Sequence, residues 1–501
     1  MSKIMKKLLG FVLIAFAMVL SWIIMSGFIK YEKNMYDFNP IFLGIGVLLY
    51  IFIICFVCKY IIKKLEKFKR IEYIMFIIFT IISIVIGLYF RVETGDQGTE
   101  TSWDLGSCYE IAVEWVENGT YASDCYPATY PNNCMMIAIE CVILKPLNII
   151  GVRNYVKWMT IATALIISAS VILSFYIVKK LMGRKKALLF MLIALFTTPL
   201  YLYAAEYYTD TFSMITTVLL FFIWIHMKDS SKLSKRIIVD ILYGVVLFFA
   251  IKIKLTSSFV FIAILFYEMV QGNFKKIFKK LCVITPVVLV LIMLFRIVVV
   301  NRFAPEDMRA DLEIPTEHWI MMGMNGVGNY DYHEVDYTIA KENKTYKQRQ
   351  EADRRMIMER LTTRSMDEHI KNLNAKLAFA WHDGTFWASV VLERNPVQKG
   401  KLHEFVLREY DTSKYYKYLP QIMHFAMLIF IFLNVCRIIK RKEYDSKDLI
   451  PIISMLGIMM FLLIWENRSR YLVNFIPLML IAQINGIEYL SDRMFEKKKR
   501  G

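Results

Sequence analysis

The apolar residues of the chain fall in blocks of roughly 17–24 residues, which charged clusters separate. A helix that crosses a hydrocarbon core of about 30 Å needs a block of this length. A large soluble protein would instead place its apolar residues at amphipathic helical spacing. The pattern predicts an all-α polytopic membrane protein with about twelve transmembrane helices, near residues 8–29, 40–61, 71–90, 155–178, 187–204, 211–227, 237–251, 255–270, 281–300, 419–439, 449–465 and 471–490.

Lysine and arginine residues cluster at alternate ends of these blocks. With twelve spans every cluster falls on one side, which the positive-inside rule assigns to the cytoplasm, so both termini are predicted to be cytoplasmic. The net charge of +17 is then a feature of topology, and nucleic acid is not indicated as a partner. The clusters are Lys3 to Lys7, Lys59 to Arg70, Lys179 to Lys186, Lys228 to Arg236, Lys275 to Lys280, Arg437 to Lys442 and Arg493 to Arg500.

One apolar stretch, Cys134 to Ile150, is not counted as a span. It is short, and Glu140, Lys145 and Pro146 interrupt it, so a helix lying along the outer interface is predicted. The chain then divides into an N-terminal transmembrane hairpin (1–70), a transmembrane core with a large outer loop (71–300, with the loop at 91–154), an extracytoplasmic, mainly helical domain (301–418) and C-terminal transmembrane helices (419–501). Helices are expected between Tyr346 and Phe379, where the chain is charged and helix-favouring.

The first outer loop contains the most informative pattern. Between Arg91 and Asn133 it holds eight acidic residues and only one basic residue, which is unusual for a loop beside anionic lipid. Asp104 lies there in the stretch WDLGSCY, about a dozen residues after the third span. An aspartate at the membrane surface suits a general base that deprotonates an acceptor hydroxyl or amine. The alternative is that the loop acids only keep the loop solvated.

The order of elements in this loop resembles the GT-C class of membrane glycosyltransferases, which take sugars from polyprenyl-phosphate carriers. The loop reads WDLGSCYEIAVEWVENGTY, then TYPNN, then an apolar segment. It is most similar to the protein O-mannosyltransferase and aminoarabinose-transferase branch, in the form found in Gram-positive bacteria. The positions that match the class pattern are Asp104, Tyr109, Ala112, Tyr130 and Pro131. The resemblance implies that Asp104 is the catalytic base and that Tyr130 contributes to substrate binding.

Two features depart from the class. The class loop follows the first span, whereas here it follows the third, so the first two spans look like an added hairpin. Many members also carry a second acid beside the aspartate, and here Leu105 occupies that place. Glu100 or Glu110 could replace that acid only through the geometry of the fold.

Three further motifs occur in the order that the class implies. EYYTDTF places Glu206, Tyr208 and Asp210 at the outer surface, although Asp210 could also be a helix N-cap. IKIKLTSS places Lys252 and Lys254 on the side where lysine is disfavoured. Lys254 could bind a lipid phosphate as a point charge, or its side chain could extend to the interface.

The third motif is ENRSRYLVNFIPL, which contains Glu466, Arg468 and Arg470. It resembles the class element in which an arginine–tyrosine pair opens a late span and a proline follows inside it. Arginine forks bind phosphate oxygens, so these residues could stabilise the phosphate as it leaves the sugar. The alternative is a pair of interface anchors. The predicted substrate and phosphate site therefore comprises Lys254, Arg468, Arg470, Tyr130, Asp210 and Glu466.

The resulting hypothesis is a glycosyltransferase that moves a hexose or pentose from a polyprenyl-phosphate carrier to a glycan, lipid or protein acceptor of the cell envelope. The reaction would be an inverting attack on the outer face of a bacterial plasma membrane. No cofactor is expected, because there is no Walker loop and no dinucleotide fingerprint; a divalent metal is left open without being indicated. The alternative is a transporter or flippase of lipid-linked glycans, which should show broken spans in two related halves.

Overall fold

The computed structural model describes residues 3–29, 38–93, 103–121, 125–227, 233–329, 335–393 and 400–495. Within these ranges the chain is helical and contains no strand, which confirms the predicted all-α class. The longer helices are α1 (Lys3–Phe28), α2 (Pro40–Phe56), α3 (Ile71–Leu88), α4 (Asp104–Asn118), α5 (Cys134–Ile149), α6 (Tyr155–Met182), α7 (Arg184–Phe196), α8 (Thr209–Met227), α9 (Leu233–Ile253), α10 (Phe259–Val270), α11 (Phe274–Phe295), α12 (Thr316–Gly323), α13 (Tyr346–Thr363), α14 (Met366–Trp381), α15 (Ser413–Arg441), α16 (Ser446–Ile464) and α17 (Ile476–Phe495).

Short helical turns extend or precede several of the long helices. π-helical turns continue α2, α3 and α11, and 3-10 turns lead into α10 and α17. Two of these turns are at the motifs singled out above, because Lys254 precedes one and Arg470 lies in the other. The shorter segments are Val57–Ile61, Ile62–Leu65, Tyr89–Glu93, Tyr126–Thr129, Pro131–Asn133, Thr198–Leu202, Tyr203–Ala205, Leu255–Ser258, Arg296–Val300, Asn301–Phe303, Glu306–Leu312, Val335–Glu342, Ala388–Val391, Lys401–Val406 and Ser469–Phe475.

Nine helices of the described residues are long and apolar enough to cross a membrane. They are α1, α2, α3, α6, α8, α11, α15, α16 and α17, several with their adjoining turns, and each coincides with a predicted span. A tenth span results if α7 and the following Thr198–Ala205 segment, bent by 62° relative to it, cross together. The polytopic character is therefore confirmed.

The predicted count of twelve spans is not confirmed, because the segments predicted at 237–251 and 255–270 do not meet the same standard. Both are helical, as α9 and α10. However, α9 has charged residues at both ends and Asp240 within its first half. The apolar helix Leu255–Val270 is too short to qualify.

The segment predicted as an interfacial helix forms α5, a 16-residue helix with Pro146 near its end. It packs against α4 and is not among the candidate spans. Helices are also present where the outer domain was expected to be helical. Capping boxes at Thr345 and Ser365 begin α13 and α14. In each box the hydroxyl of the capping residue accepts a hydrogen bond from the backbone N–H of the third helical residue. The side chain of that third residue accepts a hydrogen bond from the backbone N–H of the capping residue.

The packing of the long helices brings the N-terminal helices α1 and α2 next to the C-terminal helices. Helices α1 and α2 both contact α15, which packs along α17. Gly486 permits this approach, because a Cβ atom there would collide with the Phe430 carbonyl. Helix α8 contacts α6, α9 and the Ser469–Phe475 turn, so residues far apart in sequence meet at its first turn.

A buried lysine joins α12 and α14 to the segment between α16 and α17. The Lys376 ammonium on α14 donates to the carbonyls of Gly323, Leu463 and Trp465, at 2.6, 2.9 and 2.8 Å. It thereby satisfies carbonyl groups at the end of α16 that have no partner inside that helix. Lys376 therefore fixes the position of the backbone at the end of α16, just before Glu466.

Candidate functional site

The centre of the candidate site is the Asp210 carboxylate in the first turn of α8. One of its oxygens forms an ion pair with the Lys254 ammonium, and the other lies 3.7 Å from Nη1 of Arg470. The three side chains are 4%, 13% and 12% exposed. Asp210 is thus engaged by two cations, and its side chain is not the cap of α8. The largely buried position of Lys254 also differs from a side chain that extends to the interface.

Aromatic rings surround the two cations. The Arg470 guanidinium carbon lies 4.8 Å from the ring centroid of Trp103, 5.9 Å from that of Tyr208 and 5.3 Å from that of Tyr471. The Lys254 ammonium lies 4.5 Å from the Tyr471 ring. Such contacts hold a cation in place while leaving its N–H groups available. Arg470 Nε is buried and has no hydrogen-bond partner within the described residues.

Trp103 connects this aromatic group to Asp104, the first residue of α4. The half-buried Asp104 side chain forms a hydrogen bond with Tyr126 and lies within electrostatic range of Arg470. Burial and the adjacent Asp104 charge raise the pKa of Tyr126 well above its usual value, so its hydroxyl stays protonated. Asn133 donates to Tyr126 Oη at 2.5 Å and accepts from Tyr208 Oη at 3.2 Å. A continuous polar chain therefore leads from Asp104 to Tyr208.

Glu466 and Arg468 form the other side of the site. Glu466 accepts from Arg468 Nε at 3.2 Å and from the Tyr471 hydroxyl at 2.7 Å. The Arg468 guanidinium carbon lies over the Trp387 ring, 5.1 Å from its centroid. Glu466 therefore orients Tyr471, while Arg468 joins the site to the turn at residues 381–387, which reads WHDGTFW.

The WHDGTFW turn holds the Arg468–Arg470 segment through Asp383. This buried carboxylate accepts from the Ser469 hydroxyl at 2.6 Å and from the Trp387 N–H at 2.7 Å. Phe386 and Trp387 both have positive φ, at 52° and 68°, a conformation that is costly for residues with a side chain. The Asp383 hydrogen bonds stabilise that conformation and present the Trp387 ring to Arg468.

Several predicted residues lie beside the cluster and not in it. Tyr130 is one ring away, 5.3 Å from Tyr126 between ring centroids. Glu206 is buried in an ion pair with Arg91 at 2.8 Å. Lys252 lies over the Phe295 ring at 5.6 Å, a contact outside the Asp210 cluster.

The class-matching residues of α4 have mainly packing roles. Tyr109 packs against Tyr207 at 5.5 Å, and Ala112 is fully buried. Leu105 is also fully buried, so the position of the missing second acid lies in the core. Glu110 is six residues beyond Asp104 on the same helix and therefore faces a different direction. Glu100 lies outside the described residues.

Sequence reasoning missed Trp103, Tyr126 and Asp383. Trp103 was visible as the residue before Asp104, and Asp383 as the acid in a short aromatic turn. Tyr126 had no comparable signal, because only the fold brings it to Asp104. Among the described side chains, no group of three His, Cys, Asp or Glu residues has the geometry of a metal site.

Helix α5 carries an unusual carboxyl group next to α4. Glu140 is fully buried, and neither carboxyl oxygen has a hydrogen-bond partner within the described part of the chain. The charge of an ionised Glu140 would act on the neighbouring thiols of Cys108 and Cys141. Burial raises the pKa of Glu140 well above its usual value, so the folded protein holds this proton more tightly than the unfolded chain.

We expect this group to make the protein less stable as the pH rises. Because the folded state binds the extra proton, the free energy of unfolding falls above the unfolded pKa near 4.5, by at most about 1.4 kcal/mol per pH unit. Glu140→Gln, which resembles the neutral acid, should remove this dependence in unfolding measurements between about pH 5 and pH 8. The exposed Glu306→Gln variant is the control, and parallel curves for wild type and Glu140→Gln would contradict the assignment.

Comparisons with known proteins give the identity of the chain at the level of a family. Neither the curated proteins nor the solved structures gave a match. A protein-family comparison matches residues 1–488, nearly the whole sequence, which agrees with the many long apolar helices. The chain belongs to the family described as conserved hypothetical integral membrane protein.

Proposed function

We propose that this integral membrane protein is a glycosyltransferase that moves a sugar from a polyprenyl-phosphate carrier to a cell-envelope acceptor on the outer membrane face. The observation that carries the proposal is the proximity of Asp104 to Arg470 within one aromatic-lined site. A carboxylate can take the proton of the acceptor hydroxyl or amine. A buried guanidinium whose Nε has no hydrogen-bond partner within the described residues can donate a hydrogen bond to a phosphate oxygen.

The proposed reaction is a single displacement. Asp104 takes the proton of an acceptor hydroxyl or amine while that oxygen or nitrogen forms a bond to the anomeric carbon. The bond between this carbon and the phosphate oxygen breaks, and its electron pair remains on the leaving phosphate. Arg470 and Lys254 stabilise the charge that develops there, so no general acid is needed.

Asp210 provides a substitute for the second acid that the sequence lacks beside Asp104. It comes from a different helix, where it holds Lys254 and Arg470 in their positions. Its charge also offsets one of the two cations, which limits how tightly the site retains the product phosphate. Product release is a frequent limit on turnover, so weaker retention favours catalysis.

An assay on purified protein in lipid vesicles tests the proposal against transport. The donor is a labelled polyprenyl-phosphate hexose or pentose, and an envelope extract supplies acceptors. An enzyme transfers the label out of the carrier lipid and releases polyprenyl phosphate. A transporter moves the intact lipid across the bilayer without cleavage, and this outcome, with no release for either donor, would overturn the proposal. Protein-free vesicles are the control.

A further inference from the structure

Helix α14 carries a row of apolar side chains on its exposed side. Met366, Ile370 and Leu373 are 74%, 49% and 40% exposed. The partly buried Leu377 continues the row. Because these residues follow one another at intervals of four, three and four positions, they form one narrow stripe along the helix. These four residues are called the α14 stripe below.

The opposite side of α14 packs against the protein. At 3.6 residues per turn, Ala375 and Phe379 lie across the helix from the α14 stripe, and both are buried. The helix contacts α1, α16 and the Ser469–Phe475 turn. A surface helix of a soluble domain buries its apolar stripe and exposes polar residues. In α14 the exposed side is apolar instead, which is the pattern of a helix that lies in a membrane interface.

A hydrogen bond fixes this helix beside a candidate membrane span. Trp22 Nε1 on α1 donates to Oδ1 of Asn374, the residue next to Leu373, at 3.0 Å. Trp22 lies six residues before the end of α1 at Phe28, which is roughly 9 Å along the helix axis. The candidate span covers Met5–Phe28. Helix α14 therefore meets α1 within the length of that span and not beyond its end.

The contact is on the exposed apolar side of α1. Phe11, Met18 and Met25 on this side are 70%, 60% and 66% exposed. Trp22 lies on the same side, since it follows Met18 by four positions and precedes Met25 by three. In a membrane span such side chains face the acyl chains of the bilayer. The α14 stripe therefore continues a surface that lipid covers.

We propose that the α14 stripe inserts among the acyl chains of the leaflet that surrounds the C-terminal end of α1. Helix α14 is then an in-plane anchor to the bilayer, with its apolar side buried about 5–10 Å into the boundary between head groups and acyl chains. Asp367 and Lys371, an exposed ion pair at 2.7 Å, lie beside the stripe, where they reach the head groups and water. This contact is independent of the proposed sugar transfer.

The test is photocrosslinking from single positions of α14 in phosphatidylcholine nanodiscs. A diazirine amino acid replaces Ile370 or Leu373, and the products are identified by intact mass after irradiation. The carbene should insert into an acyl chain, so the protein should gain the mass of one phospholipid at both positions. Lys371 is the matched control. It is exposed on the same turn but lies about 100° round the helix from Ile370, so the same replacement there should be quenched mainly by water.

A diazirine at Met18 on α1 is the positive control, because this side chain faces lipid in a membrane span. A crosslink between two copies of the chain from Ile370 would show that a second copy covers the stripe, and would overturn the proposal. Quenching by water at both α14 stripe positions, with lipid adducts at Met18, contradicts it, and so do equal lipid yields at Ile370 and Lys371. All four positions are exposed, so the replacements should leave the fold intact, which elution as a single species in detergent checks.

Discussion

Replacing Asp104 with asparagine should reduce sugar transfer by roughly 10²–10⁴-fold, the usual contribution of a general base. The amide has nearly the same shape as the carboxylate but cannot take a proton from the acceptor. Because Arg470 and Lys254 remain in place, the variant should still bind the donor lipid. We therefore expect a loss in kcat with little change in donor affinity, measured as release of polyprenyl phosphate under saturating donor.

Two comparisons make this result specific to Asp104. Glu117→Gln alters an exposed carboxylate near the other end of the same helix and should leave transfer unchanged. Glu110→Gln should have a smaller effect than Asp104→Asn, because Glu110 faces a different direction. Near-normal transfer by folded Asp104→Asn protein would remove Asp104 from the mechanism.

Substitution of Arg470 should have the next largest effect, with a different kinetic pattern. Arg470→Gln removes a buried cation that, in the proposed reaction, would face the leaving phosphate, and loss of one such donor costs about 10²–10³-fold. Asp210 keeps Lys254 as its partner in this variant, and Asp104 keeps its hydrogen bond with Tyr126, so the protein should fold. Both donor affinity and turnover should fall, because phosphate is bound before and during the reaction.

Arg470→Lys separates charge from geometry at the same position. Lysine retains the cation but loses the planar fork, so it should recover donor binding more than turnover. Arg354→Gln is the control, since this arginine on α13 is largely exposed and pairs with Glu317 on α12. Full activity of Arg470→Gln with an unchanged KM for the donor is the result that would contradict a phosphate role.

The elements of the fold were largely predictable, because block length and charge are local properties of the sequence. Every predicted span is helical, and α5 is a short helix as expected from Pro146 and Glu140. The number of membrane crossings was less predictable. Whether a charged helix such as α9 spans depends on what its polar residues contact, and only the tertiary structure supplies those contacts.

The candidate site was predictable where unusual residues stood at the ends of apolar blocks. Lys254 and Arg470 break the distribution of basic residues that the positive-inside rule predicts, and the structure brings both to Asp210. Arg468 also breaks the distribution of basic residues, but its guanidinium contacts Trp387. Arg468 precedes the 3-10 turn that contains Arg470, so the two side chains point in different directions. The contact of Tyr126 with Asp104 depends on the path of the loop, which no local pattern encodes.

The buried Lys376 ammonium has a consequence for how the two halves of the molecule influence each other. By holding Gly323, Leu463 and Trp465 at once, it makes α14, the end of α12 and the start of the Glu466 segment a single mechanical unit. If Arg470 binds phosphate as proposed, we expect a molecule that displaces α14 to move the Glu466 segment and to change that affinity. Thermodynamic linkage then requires phosphate at Arg470 to change binding at α14 by the same factor.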